Sequence, residues 1–104
     1  MSELFVNFPE AEAEVEQRQA EAKGLELIVT ANEEMFLNGT PFPADHNNLR
    51  LILVVKAGAR RDIPISIIAD ADTRHAMVVM SMDTESKLGF KQLSISTQKP
   101  LASN

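Results

Sequence analysis

The run Asp62–Asp72, DIPISIIADAD, constrains this chain more than any other stretch. Ile63, Ile65, Ile67 and Ile68 make an apolar, β-branched strand that stops at Ala69-Asp70, and a helical pattern takes over from Thr73. Such a strand needs both sheet faces largely covered, which points to a mixed α/β domain. The same junction gathers Asp70, Asp72 and His75, so function turns on whether it is chemistry or architecture. The residues read as architecture.

With 104 residues there is room for one domain. Aromatics are limited to five Phe, with no Tyr and no Trp, so stacking platforms for bases or sugars are nearly absent. The net charge of −5 argues against nucleic acid, whose backbone is bound by clustered Lys and Arg that displace counterions. Cysteine is absent, which removes disulfides, thiolate metal sites and a Cys nucleophile. The longest apolar run is Leu51–Val55, far short of the roughly 20 residues of a membrane helix. Met1–Leu4 carries neither a basic n-region nor an apolar h-region.

Along the chain, Leu4–Phe8 is a short β-like run stopped by Pro9. Glu10–Lys23 is rich in Glu and Ala, with Val15 its only large apolar residue. It has helix propensity but no face to bury; a frayed helix and an extended acidic linker both fit, and the linker is the reading adopted. Alternation predicts a strand from Leu25 to Thr30, a turn at Ala31–Glu33, a second strand Glu34–Leu37, and a tight turn at Asn38-Gly39. Pro41 and Pro43 exclude a helix there. Asp45 is a good N-cap for a helix over His46–Ala57, closed by Gly58. In it Leu49, Ile52, Leu53 and Lys56 share a face, while Leu51, Val54 and Val55 spread apolar surface round the side. The strand Asp62–Ala69 leads to a helix Thr73–Leu88, with Met77, Met80, Thr84 and Leu88 in helical spacing, and Gly89 ends it. Phe90–Thr97 alternates cleanly as a last strand, with Leu93 and Ile95 on one face. The expected class is α+β: two helices packed on one face of a small mixed β-sheet, in the order β-linker-ββαβαβ.

Candidate chemistry is thin. Asp70, Asp72 and His75, with His46 or Asp45 as a further ligand, would make a divalent metal site or an acid–base pair, but the spacing matches no ligand signature. The plainer account is that Asp70 ends the strand and Asp72 or Thr73 caps the helix. Arg60-Arg61-Asp62 reads as a solvated loop before it reads as an anion patch. The serines lack a nucleophile-elbow context, and there is no glycine-rich phosphate loop. No catalytic residue and no cofactor are expected.

The assembled pattern resembles the periplasmic domain of the ExbD/TolR family. The resemblance rests on Val6-Asn7-Phe8-Pro9-Glu10-Ala11, with Phe8 where the family usually has Leu, and on the hairpin Leu25–Thr30 and Met35–Gly39 with its N-G-x-P close. It continues through Ile63–Asp70, His75, Val79-Met80 and Gly89-Phe90, then Leu93, Ile95 and Thr97. It covers essentially the whole chain. It implies an accessory subunit of an inner-membrane motor, working with an ExbB/TolQ-like channel subunit and a TonB/TolA-like transducer, dimeric, with peptidoglycan as a further contact. The V-N-x-P opening leans toward ExbD over TolR. The family's N-terminal transmembrane helix and its acidic proton-handling residue have no counterpart here, and the expectation is a periplasmic portion of an anchored protein.

The expected organisation is therefore a strand-like segment over 1–9, an acidic linker over 10–23, the ExbD/TolR-like domain over 24–98 and a tail over 99–104. Recognition is expected at strand borders, from Leu4, Phe5, Val6 and Phe8 and from Phe90, Leu93, Ile95 and Thr97.

Overall fold

Gly24 brings the chain into the sheet at a point where no other residue fits. Its φ is +81°, and a Cβ there would lie 2.6 Å from the carbonyl oxygen of Pro64. That oxygen accepts from Leu25 N at 2.8 Å, which starts a parallel pairing between two strands forty residues apart. The structure, a computed structural model, describes residues 24–98. The expected strand at Leu4–Phe8, the linker over 10–23 and the tail over 99–104 lie outside them.

The elements are β1 (Leu25–Val29), β2 (Met35–Leu37), β3 (Thr40–Phe42), α1 (His46–Ala57), β4 (Ile65–Asp70), α2 (His75–Lys87) and β5 (Leu93–Gln98). They form one five-stranded sheet in the order β3-β2-β1-β4-β5. β1–β2 and β2–β3 are antiparallel; β1–β4 and β4–β5 are parallel. The α+β class, the mixed sheet and its two helices are as the sequence predicts.

Register sets the core. Leu27 lies opposite both Leu37 and Ile67, and Val29 opposite Met35 and Ala69, so the buried residues of three strands share one face. Leu49, Leu53 and Ala57 of α1 and Met77 of α2 join them in a single cluster. Full burial of a side chain such as Leu27 or Leu53 contributes about 1.5–3 kcal/mol. The opposite face carries a cross-strand row, Pro41–Phe36–Ile28–Ile68–Ser96. Its Phe36, Ile28 and Ile68 are half-buried. Among the described residues both helices cover the other side, so the expected cover on both faces of β4 is not found there.

Three boundaries differ from the predicted ones. β3 has no counterpart in the predicted order: Thr40-Pro41-Phe42 pairs with β2 because Pro is tolerated on an edge strand. α2 begins at His75, after Arg74 as N-cap, rather than at Thr73. Phe90 precedes the last strand and is buried in the core, while β5 begins at Leu93. α1 keeps its predicted limits: Asp45 Oδ1 accepts from Asn48 N at 2.8 Å, and Gly58 closes it at φ +61°. That backbone bond, with the Asn48 side-chain amide, holds the Asp45 carboxyl below the usual carboxylate range.

Candidate functional site

At the corner after β4 the side chains of Asp70 and Thr73 are turned to backbone work. Asp70 is buried, and its Oδ1 accepts from Asp72 N at 2.8 Å while its carbonyl accepts from Thr73 N at 2.9 Å. Thr73 Oγ1 donates to the Val29 carbonyl at 3.3 Å, and Arg74 pairs with Glu33, so the corner is tied to the β1–β2 turn. Asp72 is exposed and contributes its N–H rather than a helix cap, since α2 has no side-chain cap. His75 is exposed on the first turn of α2. His46 Nδ1 is bonded to Thr84 Oγ1 at 2.8 Å. Among the described residues no group of three or more His, Cys, Asp or Glu is placed to hold a metal ion.

The basic loop is likewise built into the fold. Arg60 forks onto Asp62, with Nε–Oδ1 at 2.9 Å and Nη2–Oδ2 at 2.7 Å, and this lowers the Asp62 pKa. Arg61 donates to the carbonyls of Leu88 and Gly58.

The two sheet borders are chemically unlike. β3 is three residues long and contains Pro41, which offers no N–H. β5 is six residues, LSISTQ, with no Pro and no charge. Edge strands are usually blunted by charge, Pro, bulges or brevity, and β5 has none of these defences.

Its polarity follows from the bonds at its ends. Ile65 N donates to Gln92 O and Ala71 N to Gln98 O, both at 2.8 Å. The even-numbered residues of β5 therefore direct N–H and C=O toward β4. Leu93, Ile95 and Thr97 direct theirs outward, because successive residues of a strand alternate. The side chains of these three lie on the helix-bearing face, in register with Ile65, Ile67 and Ala69. Ile67 is fully buried, yet its neighbour Ile95 is 43% exposed. Three of the predicted recognition residues thus share a border that is unpaired among the described residues. Phe90 is 2% exposed and belongs to the core rather than to that border. Leu4, Phe5, Val6 and Phe8 lie outside the described residues.

Sequence reasoning missed Glu85. It is fully buried, and neither carboxylate oxygen has a hydrogen-bond partner. Loss of water raises its pKa to about 8. The signal was available: Glu85 follows Ser81 by four residues and Met77 by eight, which puts it on the inward stripe of the helix.

Compared with known families, residues 1–100 match one described as biopolymer transport protein ExbD/TolR. No curated protein matches the chain.

Proposed function

The chain belongs to the ExbD/TolR family of biopolymer transport proteins, and from that premise we propose that it is the non-catalytic periplasmic domain of an energy-transducing subunit in a proton-motive-force-driven inner-membrane motor of the TonB type. Members of this family are anchored in the inner membrane and work with ExbB/TolQ-like and TonB/TolA-like partners. No described helix is long and apolar enough to cross a membrane. The second reading within the family is a TolR-like subunit of an envelope-integrity system, with peptidoglycan as an added contact.

The observation that carries the proposal is the undefended border of β5. An extended segment of a TonB-like transducer pairs with the outward groups of Leu93, Ile95 and Thr97 by main-chain hydrogen bonds. Its alternate side chains lie beside Leu93 and Ile95, which favours apolar residues at every second position. Homodimerisation has its own support: on α1, Leu51 and Val55 are 58% and 68% exposed beside Val54, an apolar surface that a second copy would cover.

The test is an amide-resolved titration of the ¹⁵N-labelled chain with an extended peptide from a TonB-like transducer. Perturbations centred on Leu93, Ile95 and Thr97 are expected. Binding that leaves β5 unperturbed, or no binding at all, overturns this reading.

A further inference from the structure

α2 is seated on the sheet by an unusual face. Its buried residues are Met77, Ser81, Thr84 and Glu85, while Val79 and Met82 are exposed. Ser81 Oγ and Thr84 Oγ1 turn back to their own helix, donating to Met77 O and Met80 O at 3.0 and 2.8 Å. Thr84 Oγ1 is also bonded to His46 Nδ1 of α1 at 2.8 Å, so these hydroxyls serve the two helices rather than the sheet beneath. Glu85 beside them is fully buried with both oxygens unpartnered. A carboxyl in that setting is tolerated in its neutral form and strongly disfavoured as an anion.

The ends of the helix are held differently. At its start Thr73 reaches Val29 and Arg74 reaches Glu33; at its end Arg61 reaches the Leu88 carbonyl and Phe90 N donates to Glu85 O. A polar middle between two fastened ends is the weak part of this crossover.

Among the described residues no surrounding element supplies a counter-charge. From α1, His46 is bonded to Thr84 Oγ1, Arg50 is exposed, and Lys56 is half-buried and makes no hydrogen bond to either Glu85 oxygen. In β4 the one ionisable residue is Asp70, which serves the corner turn, and β5 has none. β1 contributes only Glu26, which is exposed on the opposite sheet face. From the loops, Arg61 is committed to helix-end carbonyls and Lys91 is exposed. On α2 itself Asp83 and Lys87 pair with each other at 3.0 Å. Burial is the one cause that displaces the Glu85 carboxyl from the usual carboxylate range.

We propose that α2 is a proton-dependent latch: with the Glu85 carboxyl protonated the helix stays seated, and loss of that proton opens the helix while β1 and β4 remain paired. This is independent of the transport reading, since it concerns the crossover that holds β5 and not what β5 binds. In the open form the carboxyl regains water and an ordinary affinity for its proton. The opening equilibrium therefore grows tenfold per pH unit across the window in which the seated form keeps the proton and the open form does not.

The experiment is native-state amide hydrogen exchange on the full chain at pH 5.5, 6.5 and 7.5, corrected for intrinsic rates, with Glu85→Gln and Glu85→Leu beside it. In the parent, amides from Ser81 to Leu88 are expected to exchange through a less costly opening than those of β1 and β4. That opening gains about tenfold per pH unit. In both variants the pH dependence is expected to vanish. If α2 exchanges only together with β1 and β4, or if the slope persists in both variants, the latch does not exist. Should one variant fail to fold, the other, read with a ¹³C titration of the Glu85 carboxyl in the parent, decides: titration in the ordinary carboxylate range overturns the proposal.

Discussion

Arg61 lies over the ring of Phe90, with Cζ 5.0 Å from the centroid, and from there it closes both helices. Its Nε donates to Leu88 O and its Nη1 to Gly58 O, each at 2.8 Å. These carbonyls stand at the C-terminal ends of α1 and α2, where the partial negative charge of each macrodipole gathers. One planar fork thus answers two helix ends and covers a buried aromatic, which explains why Phe90 is drawn into the core and out of the last strand.

Arg61→Lys keeps the charge but loses the fork, since an ammonium cannot reach two divergent carbonyls from a fixed plane. The loss is expected to be about 1–2 kcal/mol, and Arg61→Ala about 2–3 kcal/mol, from charged hydrogen bonds and the ring contact. Urea unfolding measures both. A lysine variant as stable as the parent would show that charge alone is enough.

Glu85 sets a pH dependence of global stability with a defined sign. The folded carboxyl titrates at about 8, while in the unfolded chain it returns to the ordinary range near 4.5. Between these values the folded state holds a proton that the unfolded state has lost. Stability from this group is therefore complete below about 4.5 and falls as pH rises toward 8, by about 1.4 kcal/mol per unit. Glu85→Leu is expected to flatten that slope and to be more stable than the parent at pH 8, because it removes a buried, unpartnered charge. Chemical denaturation at pH 5, 6.5 and 8 gives the three points needed. A parent more stable at pH 8 than at pH 5 would contradict the assignment.

Two glycines with nearly the same backbone angle separate strain from collision. Gly24 at φ +81° has Pro64 O in the place of a Cβ, whereas Gly39 at φ +87° has open space there. Gly39→Ala is expected to cost about 1 kcal/mol from the positive φ alone. Gly24→Ala must also displace the acceptor that starts the β1–β4 ladder, and about 3 kcal/mol or more is expected. Equal losses in thermal or urea unfolding would mean that the Pro64 contact carries no weight.

What the sequence revealed tracks where one physical signal dominates. The alternation of Leu25, Leu27 and Val29, the isoleucines of β4 and the Asp45 and Gly58 caps each act within a few residues, and each appears close to where it was expected. β3 was hidden because two prolines mask a strand that owes its existence to pairing with β2, a tertiary fact. The start of α2 was misplaced because Asp72 and Thr73 look like caps, while Asp70 and Val29 claim them for a turn. At the candidate border, Leu93, Ile95 and Thr97 were legible from alternation, but Phe90 was not, because its burial is a matter of tertiary packing into the core, with Arg61 from a distant loop over its ring. Glu85 was passed over because composition marks a glutamate as a surface residue, although helical spacing marks this one as inward.

The border of β5 supplies a prediction that separates binding from stability. Ile95 N points away from β4 and Ser96 N toward it, from the alternation bracketed by the Gln92 and Gln98 carbonyls. Ile95→Pro therefore removes a donor from the open border while leaving the β4–β5 ladder whole. A cost within about 1 kcal/mol is expected, since Pro is tolerated on an edge. Ser96→Pro removes a ladder bond and is expected to cost about 3 kcal/mol. If an extended transducer segment adds as a sixth strand, Ile95→Pro must abolish its binding in calorimetry although the domain remains folded. Equal destabilisation by the two prolines would refute the assigned strand polarity, and full binding by a folded Ile95→Pro variant would refute strand addition at this border.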